Sequence, residues 1–225
     1  MISSHLSFQV LDPAEILCKR DARSVNQCLL PTYIVAELLF DNFETHIDHV
    51  CRILHNPSIR TLIKGHYLKL HRQETIPACE AALILSIFAL SAFFFPVHGA
   101  SAVVCTSEDA THLSRLWSRS ALDCLDYSQR TTSGSLADAQ AYILMSYVTY
   151  HLDGPSARGR RFCAAAASVA LDLGLHRIDA SESRSEDGHS HRDVITQEVK
   201  RRVFWHVVAT DWYVTLIYYD ICSCK

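Results

Sequence analysis

The chain of 225 residues is long enough to bury one substantial core and is sized for one large domain rather than two. With 49% hydrophobic and 20% charged residues, and only 7 glycines and 6 prolines, its composition favours packed helices over a sandwich of short strands joined by tight turns. The formal charge of -3, from 21 Lys and Arg against 24 Asp and Glu, argues against a segment that grips nucleic acid by itself.

Residues 1–30 read as an irregular lead containing Pro13. The start, MISSHLSFQV, lacks the basic and apolar regions of a secretory signal, so a cytosolic or nuclear setting is expected. From residue 31 to 225 the pattern is that of one helical domain. Thr32 to Leu54 carries Val35, Leu38, Leu39, Phe43, Ile47, Val50 and Leu54 at helical spacing. Asn56, Pro57 and Ser58 are read as an interruption, because proline cannot continue a helix, and a second helix runs to about Leu70.

A third helix covers the apolar stretch Ala78 to Phe95. The run AALILSIFALSAFFFPV, residues 81–97, falls short of the roughly 20 apolar residues of a membrane span and is read as a buried core helix ending before Pro96. Gly99 to Ser107 forms a connection. A fourth helix presents Leu113, Leu116, Trp117, Ala121, Cys124 and Leu125 on one face. Ser135 with Asp138 three positions later has the form of a capping box and opens a fifth helix through Tyr147.

Gly154 and Pro155 break the chain. The stripe Phe162, Ala165, Ala166, Val169 and Leu173 then leads to Gly174, a residue suited to a left-handed helix cap with Leu175 folding back on the last turn. Residues 180–192 are polar, charged and aperiodic, the composition of a solvated loop. The final helix starts near Asp193, with Val199, Val203, Val207, Val214 and Ile217 along one side. Phe204, Trp205, Val208 and Trp212 broaden the apolar stripe, which implies burial by several neighbours. The expected fold is all-α, a single domain of about seven packed helices.

The chemistry-bearing residues do not assemble into a catalytic or metal motif in sequence. Nine cysteines include the isolated Cys18, Cys28, Cys51, Cys79, Cys105, Cys124 and Cys163, read as reduced, buried thiols. Cys222 and Cys224 are separated by one residue, fewer than the two usual between zinc ligands. His46 and His49 lie one helical turn apart near Cys51 but lack a fourth ligand. His55 beside Ser58 has no Gly-x-Ser-x-Gly elbow around it. GPSARG, residues 154–159, is not a nucleotide fingerprint, so no nucleotide cofactor is expected.

Glu198 is spaced to pair with Arg201 or Arg202. Asp211, between Trp205 and Trp212, is expected to meet an arginine, Arg177 or Arg202, because an ionised carboxylate in apolar surroundings is costly unless paired. His176 and Arg177 follow the Gly174 cap, where cations favour the negative end of a helix dipole.

Three stretches carry a family resemblance. HIDHVCRILHNPS, residues 46–58, resembles the opening signature of the middle homology or regulatory domain of fungal binuclear-zinc-cluster transcription factors, with His55, Pro57 and Ser58 at its close. LADAQAYILMSY, residues 136–147, continuing through Asp153, Gly154 and Arg158 to ALDLGLHR, residues 170–177, is similar to the family's second signature, with Gly174, His176 and Arg177 in its most specific part. EVKRRVFWHVVATD, residues 198–211, resembles the third, with Glu198, Arg201, Arg202, Phe204, Trp205 and Asp211. Their ordered combination is fairly specific.

The resemblance implies a non-enzymatic nuclear transcription regulator, controlling metabolic or secondary-metabolite genes. Expected partners are a second copy or another transcription factor, together with a small-molecule effector and no membrane. The family's DNA-reading module needs six closely spaced cysteines on two zinc ions, and no such run stands here, so zinc and direct DNA contact would belong to a missing or partner domain. The family also continues past the Asp with a Gly-Arg-Pro turn and further helices, where this chain reads TLIYYDICSCK, and C-terminal truncation is the expectation. The rival readings are a truncated interaction modulator or remnant, and a helical enzyme or membrane-associated protein.

Overall fold

The computed structural model describes residues 6–18, 27–96, 106–184 and 191–223, with the backbone alone over 181–184, 191–193 and 213–223. In chain order the elements are β1 (Ser7–Leu11), α1 (Pro13–Cys18), β2 (Gln27–Pro31), α2 (Tyr33–His46), α3 (Asp48–Cys51), α4 (Asn56–His71), α5 (Ala78–Phe93), α6 (Ser107–Thr131), α7 (Leu136–Asp153), α8 (Ala157–Asp172), a 3-10 segment (Leu175–Arg184) and α9 (His191–Ser223). The all-α expectation holds.

The lead expected to be irregular contains a small exception to it. β1 and β2 pair in parallel, Ser7 opposite Gln27 through Leu11 opposite Pro31, with α1 between them in sequence. β2 is a buried strand and reads as a short apolar run rather than as alternation, whereas β1 is exposed or half-buried with no clean alternation, so neither QCLLP nor SFQVL gave a strand signal. The pair is pinned to α6: the indole Nε1 of Trp117, wholly buried, donates to the Leu29 carbonyl at 3.0 Å, and the Cys28 and Cys124 sulfurs lie 3.7 Å apart.

The centre of the molecule is α5. It is apolar all round, and every residue from Ala81 to Ala92 is buried, as a helix without a polar face must be. It packs on α2, α4, α6 and α7. Its inward serines are satisfied: Ser86 Oγ donates to the Ala82 carbonyl at 2.8 Å, and Ser91 Oγ donates to the Leu39 carbonyl at 2.6 Å while accepting from Asn42 Nδ2 at 3.0 Å. No helix among the described residues is long and apolar enough to cross a membrane.

Beyond α5 the helices stack outward, α7 on α8, α8 on α9, with the 3-10 segment against both α8 and α9. The local rules that place them are visible. Ser135 Oγ accepts from the Asp138 amide at 3.2 Å and Asp138 Oδ2 accepts from the Ser135 amide at 2.8 Å, the reciprocal capping box expected at the start of α7. Gly174, with φ +69, takes the left-handed position after α8, and Leu175 is buried behind it.

Three expectations are corrected. The long first helix is split: α2 stops at His46, α3 is one turn, and Arg52 takes φ 48 before the chain re-enters a helix. The interruption therefore lies at residues 52–55, and Pro57 stands in the first turn of α4, where its missing N–H and fixed φ suit a helix start. The stretch expected as a polar loop is helical up to Arg184 and again from His191, and residues 185–190, like most of the 99–107 connection, lie outside the described residues.

The third correction concerns α9. Val199, Val203 and Val207 are buried, a narrow i, i+4, i+8 stripe against the neighbouring helices. Trp205 is 62% exposed and Trp212 72%, so the broad stripe is covered on one edge only.

Candidate functional site

A cleft of about 680 Å³ opens between the C-terminal end of α3, the second half of α7, the loop and first turn leading into α8, and the middle of α9. Its walls are Val50 from α3, Ser146, Tyr147 and Tyr150 from α7, Gly154 to Ser156 with Gly159, Arg160 and Cys163 around the start of α8, and His206, Ala209 and Thr210 from α9. The volume falls in the range of natural small-molecule sites.

Each wall follows from local structure. Gly154, at φ +70, turns the chain out of α7 after its amide caps the Tyr150 carbonyl. Ser156 Oγ then accepts from the Gly159 amide at 3.2 Å, which starts α8. Asp153, at the end of α7, lies within 3.4 Å of the Arg115 guanidinium and 3.8 Å of that of Arg158, so α6 and α8 are tied at the cleft's edge.

The floor is a polar cluster contributed by three elements. Tyr147 Oη lies 3.4 Å from His206 Nε2 and also contacts the Cys51 thiol, while the His206 ring hydrogen-bonds the Cys51 backbone. Burial pushes the Cys51 thiol up to about 12 and raises the Tyr147 phenol and the Cys163 thiol as well. Burial also lowers His206, which holds the ring neutral. A thiol so raised is protonated at neutral pH, and the Cys51 and His206 neighbours do not form an activated nucleophile and base. Ser146 Oγ donates to the Ile143 carbonyl at 2.7 Å and Thr210 Oγ1 to the His206 carbonyl at 2.8 Å. Both hydroxyls spend their proton on their own helix.

The sequence-derived candidates lie around this cleft rather than in it. His55, Pro57 and Ser58 form the start of α4, where His55 Nδ1 and Ser58 Oγ are 2.8 Å apart on the surface. Glu198 does pair with both arginines: Arg202 Nε donates at 2.8 Å, and an Arg201 guanidinium nitrogen lies at 3.7 Å. Arg201 Nε also donates to Asp179 at 2.6 Å, joining α9 to the 3-10 segment. His176 and Arg177 are exposed in the first turn of that segment, the Arg177 amide donating to the Gly174 carbonyl at 3.0 Å.

The expected partner of Asp211 is not found. Asp211 is exposed, Arg202 is engaged with Glu198, and among the described residues no ion pair joins Asp211 to Arg177 or Arg202. The desolvation that would have required a partner does not occur, because this edge of α9 faces water. Among the described residues no three His, Cys, Asp or Glu converge on a metal position, so the donor set of a zinc cluster is not met there. Of the cysteines, Cys28, Cys51 and Cys124 are buried, Cys79 and Cys163 half-buried and Cys18 exposed, all free; the Cys222 side chain, Cys105 and Cys224 lie outside the described residues.

The three signature stretches, far apart in sequence, all contribute to the cleft: Val50 from the first, Ser146, Tyr147 and Gly154 from the second, His206, Ala209 and Thr210 from the third. The model of the fungal specific transcription factor domain matches residues 36–219, which takes in all three. The chain belongs to that family.

Named relatives of this transcription factor domain agree. The probable transcription factor lepB of Aspergillus flavus is 39% identical over 199 residues, covering 86% of this chain and 35% of its own length. Transcription factor TAS2 of Pyricularia oryzae is 35% identical over 191 residues, 82% of this chain and 24% of its own. The agnestins biosynthesis cluster transcription factor AgnL11 of Paecilomyces divaricatus is 29% identical over 196 residues, 84% of this chain and 27% of its own. The chain thus spans about a third or less of the length of the curated relatives it matches. No solved structure matches it.

What sequence reading missed is the cleft itself. Tyr147 entered only as the end of the fifth helix and of the second signature, His206 only as an unremarked position of the third, and Arg160 and Cys163 carried no motif. The signal that could have found them is the convergence of the three signature stretches, which spacing along the chain does not encode.

Proposed function

We propose that this chain serves as the regulatory domain of a nuclear transcription regulator that controls a narrow set of metabolic or secondary-metabolite genes, with no catalytic activity of its own. The observation that carries the reading is the match of the fungal specific transcription factor domain over residues 36–219. The relatives named as transcription factors, one of them by a biosynthesis cluster, support the pathway-specific part.

The mechanism is a population shift. An effector that binds one packing of α7, α8 and α9 better than another moves the domain toward it, and only the difference in affinity between the two packings does work. DNA contact, and the zinc that the family's DNA-reading module holds, come from a region beyond this helical domain or from a partner such as a second copy or another transcription factor. The charge of -3 is in keeping with a domain that leaves phosphate contact to another module.

The test is to fuse this chain to a heterologous DNA-binding domain and read a reporter in yeast, alongside transcript profiling after disruption of the locus. A reporter response and a confined set of altered transcripts are expected. A silent fusion together with an unchanged transcriptome would overturn the reading.

A further inference from the structure

The α3/α7/α8/α9 cleft narrows inward to a polar recess. The recess, about 10 Å³, shares Ser146, Cys163, His206 and Thr210 with the cleft, and the buried side chains of Ile143, Ala166 and Val207 close it. That is room for one water-sized group and too little for a ring. The outer cleft is the reverse: Tyr147, Tyr150 and His206 line it with rings, and Val50, Pro155 and Ala209 complete an apolar surround. Flat aromatic molecules gain from offset or edge contact with such rings.

The recess is short of donors. Ser146 Oγ donates to the Ile143 carbonyl and Thr210 Oγ1 to the His206 carbonyl, so both hydroxyls offer lone pairs alone. The Cys163 thiol, raised first by burial and further by the charge of Asp211, stays protonated and is hydrogen-bonded with Ser146. The His206 ring is bonded to the Cys51 backbone, and its Nε2 lies 3.4 Å from Tyr147 Oη. A group entering the recess therefore brings its own donor.

Charge of either sign is unsupported there. No carboxylate stands among the described lining residues to balance a cation. An anion would meet lone pairs in the recess, and Arg160, the charged residue of the described lining, is exposed and already engaged. An ion taken out of water without a partner is costly, whereas a hydroxyl that finds an acceptor is not.

We propose that this cleft binds an uncharged planar phenol, its ring between Tyr147, Tyr150 and His206 and its hydroxyl in the recess, donating to Ser146 or Thr210. The inference rests on the effector-responsive reading above and names the chemistry of the effector. A phenol is neutral at pH 7 and carries its O–H at the ring edge, so the donor can enter the recess while both ring faces stay on the aromatic walls.

The test uses three probes of one ring system on the whole chain at pH 7, followed by isothermal titration calorimetry: 2-naphthol, 2-fluoronaphthalene, which lacks the donor, and the anion 2-naphthoate. 2-Naphthol is expected to bind at one site about fivefold to tenfold more tightly than 2-fluoronaphthalene and at least about tenfold more tightly than 2-naphthoate. Ser146→Ala with Thr210→Val is expected to bring the preference over 2-fluoronaphthalene under about twofold. Ala209→Trp is expected to cut 2-naphthol binding by at least about fivefold with the circular dichroism melt preserved, since Ala209 is exposed on the cleft wall. Trp205→Ser with Trp212→Ser is expected to leave binding unchanged.

No saturable binding of 2-naphthol, equal affinity for it and 2-fluoronaphthalene, or 2-naphthoate binding as tightly overturns the proposal. So does a hydroxyl preference that survives loss of both acceptors. Binding lost in the double tryptophan variant but kept in Ala209→Trp overturns it too, by placing the probe on the exposed aromatic edge of α9. These outcomes are independent of the reporter experiment: a responsive reporter with no hydroxyl preference sinks the ligand class alone, and a silent reporter leaves the binding result standing as chemistry.

Discussion

Gln140, on the second turn of α7, is 5% exposed, and its Nε2 donates to the carbonyl of Ile53 at 2.7 Å across 87 residues of chain. That carbonyl belongs to the short stretch between the left-handed Arg52 and the start of α4, so the bond fixes the loop that follows α3, the turn of helix on which the Val50 wall of the cleft stands. Gln140→Leu keeps size and shape while removing the donor. It leaves a buried carbonyl without this partner, at a cost of roughly 1–3 kcal/mol. In a chain of this length each kcal/mol lowers Tm by about 2–4 °C, so a fall of about 4–8 °C is expected for the middle of that range. Thermal unfolding followed at 222 nm reads it directly, and hydrogen exchange at residues 51–55 should rise in step. A melt within about 1 °C of the parent, with unchanged exchange, would refute the idea that this hydrogen bond holds the loop.

His66, 3% exposed on α4, is pushed down to about 4 by burial. Its folded value lies below its unfolded one, so the unfolded chain takes up the proton first. Stability is therefore intact above about pH 6.5 and declines toward pH 4 by an amount of order 3 kcal/mol. Burial lowers His206 and His151 in the same direction, and His66→Met should flatten much of the acid limb in denaturant melts. Of the 3 tryptophans, Trp117 is buried and Trp205 and Trp212 are exposed, so Trp117→Phe should leave an emission that acrylamide quenches almost completely. A protected residual component would contradict the exposed edge of α9. Gly174→Ala should cost about 1 kcal/mol because φ +69 disfavours a Cβ, whereas Gly65→Ala, mid-helix with nothing near its added Cβ, should gain about 0.5–1 kcal/mol. Equal effects at the two glycines would contradict the left-handed cap.

The features legible in sequence are those decided by neighbours along the chain. The Ser135 and Asp138 box, the Gly174 cap and the Glu198 pairing each depend on residues within four positions, and each is in place. The apolar stretch of α5 announced its own burial. Features set by contacts between distant residues were not legible. Of the parallel strands at either end of residues 7–31, β2 looks like any short apolar run and β1 like an ordinary mixed segment until they meet. The left-handed Arg52 has no glycine to advertise it, and its bend was attributed to Pro57, which starts a helix. The exposure of Trp205 and Trp212 depends on what lies beside α9, not on α9 itself.

The encirclement of α5 also sets an order of events at the ribosome. This rod of apolar side chains, complete at Phe93, is synthesised before α6 and α7, two of the helices that cover it, the second ending at Asp153. At typical synthesis rates the gap lasts about 3–12 seconds, long compared with hydrophobic collapse. During that interval α2 and α4 are, among the described helices, its completed long partners. The nascent chain is then most exposed to misassociation, and the cell's chaperones have their clearest target.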